Sequence, residues 1–261
     1  MSNPSGPPSA TEHAARGRVR VEVGPKRVRA YLDGVALVDS THVLLVWERP
    51  TYPTYYFPIA DVRTDLVHDT GETRHSPSRG DATLFDVRVG ERVAPAAAYR
   101  HVDSPLVELR EMVAFTWSAM DHWFEEEEEV YTHARNPYTR VDILPSSRRV
   151  RVEIDGVVVA DSDRPTLLFE TGLPTRHYFA KPDVRLDLLT ATESSTSCPY
   201  KGTARYWSVT TGETVHPDVA WAYDHPLPES IRVAGQICFY NERVDIFVDG
   251  EREERPHTPF S

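Results

Sequence analysis

One feature restricts the fold of this chain more than any other: the sequence contains itself twice. Shifted by 122 places, residues 28–99 lie over 150–221 without a gap, with 26 identities in 72 positions. Such self-similarity marks a repeated folding unit. Asp33-Gly34 matches Asp155-Gly156, Asp39-Ser40 matches Asp161-Ser162, and Glu48 matches Glu170. Tyr56-Phe57 matches Tyr178-Phe179, and Pro77 and Gly80 match Pro199 and Gly202. After a small length change, Phe115 answers Phe239 and Asp121 answers Asp245. At 261 residues, each copy has room for its own core. The expected organisation is a tail over 1–16, a first domain over 17–132, a connector over 133–146, a second domain over 147–252 and a tail over 253–261. Pro137 and Pro145 discourage regular structure in the connector.

Each copy reads as β-strands. Val150-Arg151-Val152-Glu153-Ile154 alternates apolar and polar residues, and Asp155-Gly156 supplies the positive-φ positions of a tight hairpin. Further strands are expected over 157–160, 166–170, 177–179, 184–189, 204–209, 219–223, 237–240 and 244–248. Their spacing of about ten residues is the rhythm of an antiparallel meander or small barrel. No long segment keeps a helical period. Residues 119–130, with the run Glu125 to Glu129, align with a strand entering a solvated acidic loop.

Forty acidic against 29 basic residues give a formal charge of −11, a surface that repels phosphate backbones and anionic lipid. Nucleic acid and membrane are therefore not expected partners. The two cysteines, Cys198 and Cys238, cannot form a disulfide framework, which suits a reducing compartment. No run approaches the ~20 apolar residues that cross a bilayer. A cytoplasmic protein is expected; its oligomeric state is not legible.

The copies diverge in chemical kind over Cys198-Pro199-Tyr200-Lys201-Gly202-Thr203-Ala204-Arg205-Tyr206-Trp207, which faces Ser76-Pro77-Ser78-Arg79-Gly80-Asp81-Ala82-Thr83-Leu84-Phe85. Trp221 likewise faces Tyr99. The scaffold Pro and Gly persist while a thiol, a phenol, an amine and an indole are lost. One reading is a working site in the second copy and a retired one in the first; drift at packing positions is the other. The candidate ligand-binding side chains are Tyr178, Tyr200, Tyr206, Trp207, Trp221 and Tyr223. Three functions stay open. The chain could bind a small metabolite in its second domain. It could be an enzyme with Cys198 as nucleophile, Lys201 lowering the thiol pKa or holding an anion, and Glu170 moving protons. It could instead be a protein-interaction module. Neither metal nor cofactor is expected: the cysteines lack zinc spacing, the histidines form no metal motif, and Asp161-Ser162-Asp163 reads as a turn cap.

RVRVEIDGVVVADS, RHYFAKPDVRLDLL, CPYKGTARYWSV and CFYNERVDIFVDGE together resemble a bacterial domain-of-unknown-function family, number four hundred and twenty-seven, sometimes labelled nucleotidyltransferase-like. The resemblance covers nearly all of 18–252, twice over. It implies an all-β chain of two tandem antiparallel domains similar to the β-tent or Mss4-like fold. The paired Cys-Xaa-Xaa-Cys zinc knuckles of that fold are missing here, as is the Gly-Ser with paired aspartates that nucleotidyl transfer needs.

Overall fold

A computed structural model describes residues 19–48 and 51–258. They form two compact units that divide between Asn136 and Pro137. The first contains β1 (Arg20–Val23), β2 (Val28–Leu32), β3 (Val35–Ser40), β4 (Leu44–Trp47), β5 (Thr54–Pro58), β6 (Val67–Ser76), β7 (Gly80–Val89), β8 (Arg92–Arg100), β9 (Met112–Phe115), β10 (His122–Glu125) and β11 (Glu128–Glu129). The second contains β12 (Val141–Pro145), β13 (Val150–Ile154), β14 (Val157–Ser162), β15 (Thr166–Glu170), β16 (Arg176–Phe179), β17 (Leu189–Cys198), β18 (Gly202–Thr211), β19 (Thr214–Ala222), β20 (Ile237–Phe239), β21 (Asp245–Val248) and β22 (Glu251–Arg252).

Strand order is the same in both halves. A seven-stranded antiparallel sheet runs β1-β4-β5-β9-β8-β7-β6 in one and β12-β15-β16-β20-β19-β18-β17 in the other. Beside each stands a four-stranded sheet, β11-β10-β2-β3 and β22-β21-β13-β14. The chain is all-β with two homologous domains, and among the described residues the sheets stay open and no barrel closes.

Strand alternation gives each domain two apolar layers. Phe57 and Phe115, or Phe179 and Phe239, point between the sheets into the main core. Tyr56, or Tyr178 and Cys238, point to the outer face of the large sheet, where a second cluster forms. Fully burying one such large side chain stabilises the fold by about 1.5–3 kcal/mol. Among described residues the only helical turns are short 3-10 turns, one of which, Pro228–Val233, lies over the outer cluster through Val233.

Several expectations change. The strand expected over 184–189 is replaced by two 3-10 turns, Lys181–Asp183 and Leu186–Leu188. Arg185 pairs with Asp187 there, and only Val184 bridges back, to Ala160. In its place runs β17, whose Thr- and Ser-rich sequence showed no apolar alternation because it is an edge strand with mostly wet faces. The connector is not irregular throughout: β12 pairs with β15, Ile143 opposite Leu168, and Pro145 is tolerated because the strand is at an edge. The turn cap at Asp161-Ser162 is the serine's work. Ser162 Oγ donates to Asp183 at 2.7 Å and accepts from Arg164 N, as Ser40 does with Asp61 and His42 N. The glutamate run is a strand and an acidic turn, but Glu125 is buried, bonded by the Tyr55 hydroxyl and by Lys26 Nζ at 2.6 Å. Part of the expected C-terminal tail is engaged: Thr258 Oγ1 donates to Glu242 at 2.6 Å. The tail expected over 1–16 lies outside the described residues.

Candidate functional site

The hairpin between β17 and β18 brings the candidate residues of the second domain onto the outer sheet face. Cys198 opposes Gly202 in the register, and residues 199–201 make the turn. Gly202 has φ +91, and a Cβ there would meet His225 O at 3.4 Å, so only glycine suits the position. Leu227 N donates to Lys201 O, anchoring the turn. Lys201 Nζ is then directed at Glu170, and the two form a close ion pair with side chains 11% and 8% exposed.

This pair exists in both domains. In the first, Arg79 takes the place of Lys201 and binds Glu48 at 2.6 Å. Arg79 also donates to the Tyr56 hydroxyl at 2.9 Å and lies 3.1 Å from His101 Nε2. The charge was not lost between the copies; ammonium and guanidinium exchanged. Breaking a buried pair strands its partner in low dielectric. Lys201→Met is expected to cost about 2 kcal/mol in urea denaturation, discounted for partial exposure. Lys201→Arg, borrowing the first copy's residue, is expected to stay within about 0.5 kcal/mol of wild type.

Around the pair, the outer face of the second domain gathers Tyr178, Tyr206, Trp221, Tyr223 and the buried Cys238. Trp221 Nε1 donates to the Tyr178 hydroxyl at 3.2 Å, with the rings edge to face. Burial pushes the Tyr223 hydroxyl well above its ordinary value, and the nearby Cys198, Tyr206 and Glu170 add to this. Burial likewise raises the Cys238 thiol to about 12, so it is packing and not a nucleophile. Cys198 is half-buried and makes no hydrogen bond to Lys201 or Glu170.

Two candidates fall elsewhere. Tyr206 opposes Trp221 while Trp207 opposes Ala220, so Trp207 points to the inner core and Trp221 to the outer face. Tyr200 sits in the hairpin turn, where its carbonyl accepts from Ser230 Oγ.

Residues that the sequence did not single out complete a cleft of about 410 Å³ beside Tyr206. Its walls are Ser194, Ser195, Thr196, Asp218 and Arg243, with Tyr240. Tyr206 and Tyr240 stand with rings nearly parallel, and the Tyr206 hydroxyl reaches Thr196 at 2.7 Å and Tyr240 at 3.2 Å. Asp218 occupies a left-handed bulge position at φ 48, which brings its carboxylate under the Thr192 and Ser194 hydroxyls at 2.6 and 2.7 Å. Those two hydrogen bonds hold it below the usual carboxylate range. Only the fold joins β17, β18, β19 and the segment after β20 here, so no local motif announces the cleft.

Past the paired ends of β16 and β20, Arg176 fills the sheet end. Its guanidinium makes two hydrogen bonds to Glu242, at 2.7 and 2.8 Å, and one to Asn241 at 3.0 Å. It lies 5.6 Å from the Trp221 ring centre and 5.8 Å from that of Tyr240. The same place in the first domain holds a cleft of about 260 Å³ lined by Tyr52, Tyr55, Arg74, Tyr99, Trp117 and His133 among others. Among described residues no group of three or more His, Cys, Asp or Glu side chains could hold a metal ion. No helix among them is long and apolar enough to cross a membrane.

One family model, that of a domain of unknown function (DUF427), matches twice, over residues 20–126 and again over 142–250. No curated protein matches the chain.

Proposed function

From the premise that this chain belongs to the DUF427 family, once in each half, we propose that it binds a small polar metabolite in the cleft of its second domain. The observation that carries this reading is Asp218, an ionised acceptor on the wall of an aromatic- and hydroxyl-lined cleft of about 410 Å³. That volume lies within the usual range for ligand sites, which combine a few convergent polar groups with aromatic walls. A ligand carrying hydroxyl or amine donors would hydrogen-bond Asp218 and rest on Tyr206 and Tyr240. Arg243 supports the wall by donating to the carbonyls of Pro217 and Asp218.

In this reading Glu170 and Lys201 hold the hairpin that carries the cleft, and Lys201 is not free to activate Cys198, since its ammonium is engaged by Glu170. Tyr178, Trp221 and Tyr223 pack in the buried cluster to which Tyr206 belongs and against which Tyr240 rests. The two unpaired cysteines agree with a reducing, cytoplasmic setting.

A thermal-shift screen of polar metabolites against the full chain tests the proposal. At 100 times its dissociation constant a ligand stabilises by about 2.7 kcal/mol, a rise in Tm on the order of 10 °C for a domain of this size. Asp218→Asn is expected to keep the fold, because asparagine accepts a left-handed φ, and to bind at least tenfold more weakly. The proposal fails if no compound stabilises wild type, or if Asp218→Asn binds as tightly.

A further inference from the structure

We propose that the first domain carries a separate site, in the cleft at Arg74, for a small planar aromatic carboxylate. One sheet position is filled differently in the two copies. In the second domain the ring of Trp221 is covered by a cation, Arg176, and that cation is neutralised by the carboxylate of Glu242. The place is filled and its charges are closed.

In the first domain Tyr99 stands where Trp221 stands, and Thr54 replaces Arg176. A cation still covers the ring, but it comes from a different strand. Arg74 of β6 holds its guanidinium carbon 4.8 Å from the Tyr99 ring centre. The carboxylate has no substitute, since the residue aligned with Glu242 is Ser118. Arg74 is exposed and makes no hydrogen bond or ion pair among the described residues. The buried acid nearby, Glu125, is already committed to Tyr55 and Lys26. One domain therefore has cation, ring and carboxylate, and the other has cation, ring and an open cleft.

The cleft suits a flat ligand. Trp117 lies parallel on Trp123 at 4.6 Å and Tyr52 parallel on His133 at 3.9 Å, so each pair holds its rings flat against one another, and the half-buried Tyr52, Trp117 and His133 present aromatic surface to the cleft. A volume of about 260 Å³ is below that of drug-sized sites and limits the occupant to one or two rings. A carboxylate on that occupant would pair with Arg74 by two charge-assisted hydrogen bonds, the role Glu242 performs for Arg176.

Calorimetric titration of the full chain with 2-naphthoate, and with the uncharged 2-naphthamide, tests this. Wild type is expected to bind the acid at least tenfold more tightly than the amide. Arg74→Gln, a surface change, is expected to lose tenfold or more for the acid and nothing for the amide. Thr54→Arg combined with Ser118→Glu, which installs the second domain's pair, is expected to abolish binding. Asp218→Asn is expected to leave it unchanged, which separates this site from the one in the second domain. No heat with 2-naphthoate at millimolar concentration, equal binding of acid and amide, or an unaffected Arg74→Gln would each overturn the proposal.

Discussion

Glu242→Gln is expected to destabilise the second domain by about 3–5 kcal/mol, read as a lower urea midpoint with an unchanged slope. The Glu242 side chain is fully buried and that of Arg176 is 7% exposed. Two charges have been taken out of water, and their geometry offsets that cost only while both are present. Glutamine at that position leaves the buried guanidinium beneath two aromatic rings without the carboxylate charge of Glu242 to balance it. Arg176→Met is expected to cost as much, from the other side. The combined Arg176→Met and Glu242→Leu change should recover most of the loss, because no uncompensated charge remains. Burial pushes the Glu242 carboxyl up, but the hydrogen bonds from Arg176 and Thr258 outweigh it and hold the group below its ordinary value. A carboxyl depressed in the folded state contributes stability above its unfolded pKa and loses it as pH falls through the folded one. The pair therefore weakens only in acid below about pH 4.

A second acid effect begins earlier and acts on both domains. His101 and His177 are 1% and 3% exposed, and both imidazoles are lowered from 6.5 to about 4. Burial is the main cause; Arg79 adds to it at His101, and Arg148 and Arg176 at His177. A histidine kept neutral in the fold is protonated more readily in the unfolded chain. Stability is thus full above about pH 6.5 and declines as pH falls toward 4, by roughly 3 kcal/mol for each histidine. Urea midpoints at pH 7 and pH 4.5 measure this. His177→Tyr and His101→Tyr, each borrowing the residue of the other copy, should flatten the decline in their own domain. A decline as steep in these variants as in wild type would assign it to other groups.

Much of the fold was legible because it rests on short-range rules applied twice. Asp33-Gly34 and Asp155-Gly156 do adopt the paired positive φ of tight hairpins, and the Tyr-Phe pairs alternate between faces as strand periodicity requires. What escaped was set at long range. β6 and β17 are polar because they are sheet edges, and being an edge is a property of the whole sheet. β12 was masked by Pro145, and only its pairing with β15 makes it a strand. The site was harder still. Arg79 was read as a lost amine, although what matters at that position is a positive charge within reach of Glu48, and arginine supplies it. Arg176 and Glu242 are 66 positions apart, and no spacing rule joins them.

Two tandem domains with one strand order face a hazard during folding, since a strand can be accepted by the wrong sheet. Here such an error is penalised. A hybrid that placed β5 where β16 belongs would enclose Glu242 against Thr54, an acid with no cation; the reverse error would enclose Arg176 against Ser118. Either chimera would carry a bare charge in its interior and be driven apart. The matched pair would thus penalise the exchange of equivalent strands in a duplicated chain. A variant lacking both charges should keep most of its stability once folded, yet give a lower yield when refolded from urea.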